Sequence, residues 1–208
     1  MPKNKKCIMS LVLTLLLIGS SNLSVKAYTL FNSNYKLLSG ISNKNYYIDP
    51  GAASTFYGGV TVDYASVIRA AVSTWNTSGN VKFSETTSIS ASVSDFYTGS
   101  YGLDWCGLTN HYVNSTCING ADKTSAPSSS WGYFKIYIDA VSLNTISSGN
   151  NIWKVTPYNF RFGVIGHEFG HGLGLAHSSS PDVLMYGDIG IKRYTPASDD
   201  IAGVRALY

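Results

Sequence analysis

Charge, histidine and cysteine are all in short supply along this 208-residue chain. Charged residues make up 13% of it, about half the share usual in globular domains, so its polar surface must come from Ser, Thr, Asn and Tyr. Beyond the first 27 residues the Lys and Arg residues do not cluster, and this excludes the footprint of a nucleic-acid binder. There is no internal repeat, and a single long apolar run lies close to the amino terminus. Glutamate occurs twice and histidine four times. Where those few residues fall carries most of the chemical information.

The first 27 residues read as a secretory signal peptide. Lys3, Lys5 and Lys6 make a basic start, Ile8 to Ile18 is apolar except for Ser10 and Thr14, and Val25-Lys26-Ala27 offers a cleavage site. About 20 apolar residues are needed to cross a bilayer, so the run is too short for an anchor. Four of the fifteen Lys and Arg sit in this leader and none of the twelve acids does, so the remainder is near neutral. Residues 28–208 are enough for one domain with a real core and too few for two. A secreted, monomeric, single-domain protein with no membrane anchor after cleavage is expected.

Cys7 belongs to the leader. Cys106 and Cys117 remain, an even number in a chain bound for an oxidising compartment, and a disulfide closing that short loop is expected ahead of the alternative, a pair of buried free thiols or metal ligands, since the spacing matches no usual zinc knuckle.

Hydrophobic spacing marks the elements. Tyr64, Val67, Ile68, Ala71, Val72 and Trp75 recur at helical intervals within a helix expected over Thr61–Asn76. Further helices are expected over Gly163–Leu173 and Ala197–Leu207. Strand-like segments are Asn45–Ile48, Val81–Ser84, Ala91–Tyr97 and the alternating run around Phe134, Ile136 and Ile138. Strands with one helix come first, then the other two helices, which suggests an α+β fold.

Three of the four histidines and one of the two glutamates lie in His167-Glu168-Phe169-Gly170-His171-Gly172-Leu173-Gly174-Leu175-Ala176-His177. On a helix, residues four apart share a face, so His167 and His171 can hold one metal ion together. A catalytic zinc commonly takes three protein ligands and leaves a position for water. His177 is the candidate third ligand, provided the chain turns, and Gly174 is the residue type that can end a helix in a left-handed conformation. Each interior glycine costs a helix roughly 1 kcal/mol against alanine, so a purely structural helix would not favour this composition. Glu168, next to the first histidine, is placed to act as a base towards an acidified water and then to return the proton to a departing amine. Those steps amount to amide hydrolysis.

This pattern resembles the metzincins, zinc endopeptidases with His-Glu-x-x-His-x-x-Gly-x-x-His followed by a methionine turn. His167, Glu168, His171, Gly174 and His177 match every fixed position, and Met185 follows in Leu184-Met185-Tyr186. Within that group the chain is most similar to the matrixins, through Ser178 after the third histidine, the turn itself and the closing Ser198–Tyr208 segment. The resemblance implies a twisted five-stranded mixed sheet with three helices, Met185 beneath the metal, and a substrate-lining edge strand over Gly107–Tyr112. It implies one catalytic zinc and a protein or peptide substrate, with the specificity pocket walled by Tyr186–Pro196. Animal matrixins carry a propeptide cysteine on the zinc and a second, structural zinc; the stretch Tyr28–Lys44 has no cysteine, and His111, read as a polar strand residue, is the only other histidine outside the leader. Asp and backbone carbonyls could hold structural calcium, but no calcium loop stands out. Two alternatives stay open: a binding protein that keeps the zinc as structure, and a zinc hydrolase of cell-wall amides.

Overall fold

The computed structural model describes residues 28–52, 55–57, 60–77, 80–101, 105–120, 125–144, 147–148, 151–152, 158–187 and 192–208. The leader expected over residues 1–27 lies outside them. The main sheet contains β1 (Lys44–Ile48), β2 (Phe83–Thr86), β3 (Ser94–Gly99), β4 (Gly107–Val113), the two-residue β5 (Thr116–Cys117) and β6 (Tyr133–Asp139), in the order β2-β1-β3-β6-β4-β5. The first four of these neighbours run parallel, and β4 is antiparallel to both β6 and β5. The α-helices are α1 (Tyr64–Asn76), the five-residue α2 (Ala140–Asn144), α3 (Tyr158–Gly172) and α4 (Ser198–Leu207). The architecture is a mixed sheet with several helices. Among the described residues the six strands of this sheet and the four α-helices exceed the expected five and three by one short element of each kind, β5 and α2.

Helix boundaries follow local chemistry. Val60–Val62 is β-branched and pairs as a strand with Thr55–Tyr57, so α1 starts later than Thr61. Asp63 caps it by accepting a hydrogen bond from the Ser66 N–H at 3.0 Å. The apolar stripe of α1 is buried from Tyr64 to Trp75. Helix α3 begins five residues earlier than Gly163, at Tyr158.

The core lies between the sheet and the helix pair α1 and α3. Phe169, on the side of α3 away from the histidines, meets Phe83, Phe96 and Phe134 from three strands at ring separations of 5.1, 6.0 and 5.8 Å. Gly172 lets the helix settle onto the sheet, because a Cβ there would lie 2.1 Å from the Phe134 ring. The opposite face of the sheet shows how the chain manages with little charge. Tyr97 stacks on Tyr137 and Tyr112 on Tyr133, and the Lys135 ammonium lies within 6 Å of the rings of Tyr97, Tyr112 and Tyr133.

The two cysteines correct the sequence reading, because Cys106 and Cys117 are both free thiols. Cys106 precedes the first residue of β4, whereas Cys117 in β5 is paired with Tyr112 near the far end of that strand. Five residues of strand at about 3.3 Å each separate Gly107 from Tyr112. A disulfide needs Cα atoms within about 7 Å, so the hairpin register holds the two apart.

Candidate metal centre

Helix α3 carries the first half of the motif on its last two turns. Leu173 still donates to the carbonyls of Phe169 and Gly170, and the Gly174 N–H donates to His171 at 2.9 Å. Gly174 then turns the chain with φ +108°, in the left-handed region, and any side chain there would also strike Leu207. After the turn Leu175–Ala176 runs extended, antiparallel to Thr29–Leu30. His177 comes back to the helix end.

The three imidazoles converge. His171 Nε2 is 3.2 Å from His177 Nε2, and one ligand nitrogen from each of His167, His171 and His177 lies within 4.8 Å of the others. The far ring nitrogens are set by backbone: His167 Nδ1 is 2.8 Å from the Leu184 carbonyl and His171 Nδ1 is 2.7 Å from the Leu175 carbonyl. A carbonyl only accepts, so both Nδ1 atoms carry the proton and leave the Nε2 lone pairs for a metal. Burial, reinforced by the neighbouring histidines, pushes His167 and His171 down to about 3, so both stay neutral far below neutral pH. Three imidazole nitrogens without a ligating carboxylate is the donor chemistry of a catalytic zinc, and the residues fit that ion.

The turn that carries Met185 packs against helix α3. Met185 is 2% exposed, and Gly170 makes its room, since a Cβ at Gly170 would be 2.4 Å from the Met185 sulfur. The Ser178 N–H donates to the Met185 carbonyl at 2.7 Å and ties the turn to the residue after His177. Gly187, two residues past the methionine, sits against the His177 ring, where a Cβ would come within 3.0 Å. Of the segment Tyr186–Pro196 expected to wall a specificity pocket, residues 188–191 lie outside the described residues.

Several residues that the sequence did not single out organise the site. Asp200, 1% exposed, accepts the backbone N–H groups of Leu184, Met185 and Ala197 at 2.9, 3.3 and 2.7 Å. One carboxylate thereby caps α4 and braces the turn whose Leu184 carbonyl orients His167. Burial raises its pKa, opposed by those three hydrogen bonds. Helix α3 is also gripped from outside through its carbonyls. Trp75 Nε1 donates to Gly166 at 2.9 Å, Trp131 Nε1 to Gly172 at 3.2 Å, and His111 Nε2 lies 3.1 Å from the His171 oxygen. His111 is fully buried with its ring 4.1 Å from that of Trp131 at an interplanar angle of 57°, and burial lowers its pKa to about 4. The tryptophans and His111 could be read as core residues from their spacing, but the α3 carbonyls they engage lie 41 to 91 residues away in sequence.

Glu168 is 8% exposed. Burial raises the pKa of its carboxyl, against the opposing pull of His167 and of hydrogen bonds from Thr109. Gly107 faces it closely, because a Cβ there would be 2.6 Å from Glu168 Cγ. Glu168, His171 and His177 line a cleft of about 450 Å³ whose walls include Gly107–Thr109, Thr29–Asn32 and Ser125–Ala126.

Comparison with known proteins agrees with this geometry. Residues 141–208 match the matrixin family of metallopeptidases. Human neutrophil collagenase is 47% identical over 60 residues, 27% of this chain and 13% of the collagenase. The Arabidopsis thaliana metalloendoproteinase 2-MMP is 30% identical over 191 residues, 89% of this chain and 46% of that protein. The chain thus spans less than half the length of these relatives. A solved structure described as the GM1-bound form of the ECX AB5 holotoxin shares the fold, with a TM-score of 0.54 over 88% of each chain at 16% identity. The match over residues 141–208, which carry all three converging histidines, makes the metal-binding half of this chain matrixin-like.

Proposed function

We propose that the protein is a secreted zinc metalloendopeptidase that hydrolyses peptide bonds of extracellular proteins or peptides. Residues 1–27 act as its leader and residues 28–208 as a metzincin catalytic domain with Met185 in the methionine turn. His167, His171 and His177 hold the metal, and Glu168 is the general base. One observation carries the reading: a buried carboxylate stands one residue from the first of three converging imidazoles, two of them oriented by backbone carbonyls, at the wall of a cleft bounded by a sheet edge.

Strand β4 pairs with β6 on one side, while β5 covers only Tyr112 and Val113 on the other. Apart from the Thr109 carbonyl, which accepts from the Asn119 side chain at 3.3 Å, the Gly107–Asn110 stretch can offer backbone groups on that side to an extended peptide, and such pairing is tolerant of sequence. Zinc, when bound, would polarise the scissile carbonyl and acidify a water. Glu168 takes the proton from that water as its oxygen bonds to the carbonyl carbon. The same carboxyl then passes the proton to the peptide nitrogen as the C–N bond breaks. Burial suits Glu168 to this exchange, because a raised pKa brings a carboxylate nearer to the working pH of a proton shuttle.

The test is cleavage of casein alongside zinc content, with and without a chelator, for the wild type and Glu168→Gln. One zinc per chain and chelator-sensitive cleavage are expected, with a loss of at least roughly a hundredfold in the variant while its zinc is retained. Cleavage at the wild-type rate by Glu168→Gln would refute the assignment of the base. Zinc without cleavage of casein or of a peptide library would favour a binding protein.

A further inference from the structure

Strand β4 turns Gly107, Thr109 and His111 towards α3, and each serves a different part of the motif helix. Thr109 stands opposite Glu168. Its hydroxyl is 2.8 Å from Glu168 Oε2 and 2.7 Å from the Glu168 backbone carbonyl, and Thr109 and Glu168 are 4% and 8% exposed. We propose that Thr109 is a positioning residue for the proton-transfer step, its hydroxyl holding the Glu168 carboxyl in one place whether that group is ionised or protonated. This rests on the reading of Glu168 as general base.

The reason is the donor and acceptor count. A hydroxyl has one proton and two lone pairs, an ionised carboxylate only accepts, and a protonated one can donate. With Glu168 ionised, the Thr109 proton points to Oε2. A proton taken up on the other carboxyl oxygen, Oε1, leaves Oε2 an acceptor, so the Thr109 hydroxyl keeps the same hydrogen bond in both states with no heavy atom moving. At this depth a missing partner would not be replaced cheaply by solvent. Valine has the shape of threonine without the hydroxyl and suits a strand at least as well, so a wall that needed only to pack would have no use for the oxygen.

The experiment compares wild type with Thr109→Val and Thr109→Ser, each checked for zinc content and thermal stability, with crystal structures of the zinc-free variants. The valine variant is expected to keep its zinc, to lose kcat by roughly tenfold or more with KM within about twofold, and to show the Glu168 carboxyl displaced from the strand. Serine, which retains the hydroxyl, is expected to restore both kcat and the carboxyl position. An unchanged kcat in Thr109→Val, or a serine variant as slow as the valine one, overturns the proposal. Should Thr109→Val fail to fold, Thr109→Ser decides: near wild-type kcat with Glu168 in place supports the hydroxyl role, and a kcat loss with the fold intact overturns it. A wild type with no chelator-sensitive peptidase activity overturns the parent reading and this proposal together, whereas active wild type with an indifferent Thr109 overturns this proposal alone.

Discussion

At the scale of single residues, the chain spends its rare side chains where burial changes their chemistry. Of two glutamates, Glu85 forms a surface ion pair with Arg69 at 2.7 Å, and Glu168 is enclosed beside the histidines. His111, His167 and His171 are all held neutral by burial, at about 4, 3 and 3 against an ordinary 6.5. In the unfolded chain they take up protons as the pH drops through 6.5, while the folded protein does not until near 4 or below. Stability of the zinc-free protein should therefore be level above pH 6.5 and fall between there and about 4, with a slope approaching about 1.4 kcal/mol per pH unit for each histidine. Urea denaturation of the zinc-free protein at pH 7 and pH 5 reads this directly. Equal stability at the two pH values would contradict it.

At the scale of elements, α3 is a poor helix on its own terms, with glycine at 163, 166, 170 and 172. It persists because those glycines admit Met185, Phe134 and Leu184 closely while donors from α1, β4 and Trp131 engage its carbonyls. Helix α4 contributes through Asp200, which links its own first turn to the methionine turn. Asp200→Ala would orphan three backbone N–H groups, at least two of them deep in the fold, and should cost about 2–5 kcal/mol. Loss of the brace under Leu184 should also loosen the orientation of His167 and weaken zinc binding. Competition with a zinc-chelating dye, run alongside thermal melts, separates the two effects, and unchanged zinc affinity in a folded Asp200→Ala would show that the brace does not reach the metal.

At the scale of the whole molecule, the metal site joins parts of the chain that are otherwise held together only by packing. Its ligands come from α3 and from the segment after Gly174, which pairs with Thr29–Leu30 and leads into the methionine turn. Zinc bound only by the native arrangement adds about 2.7 kcal/mol when present at a hundred times its dissociation constant. Chelation should thus lower the melting temperature by several degrees as well as stop cleavage, and a melting temperature indifferent to zinc would mean that the site does not form as described. Among the described residues no helix is long and apolar enough to cross a membrane.

Periodicity and spacing alone determined the α+β class, the three longer helices, the alternating strand around Phe134 and the grouping of His167, His171 and His177. These are local properties: a 3.6-residue repeat, a two-residue repeat, and a glycine that permits one turn. Only the tertiary structure decided what the site rests on. Thr109, Asp200, Trp75 and Trp131 meet their partners across 15 to 91 residues of sequence, distances over which no repeat in the chain carries information. The same holds for the cysteines: their number suggested a bridge, and the pairing register of β4 with β5, set by long-range sheet geometry, placed them at opposite ends of a strand.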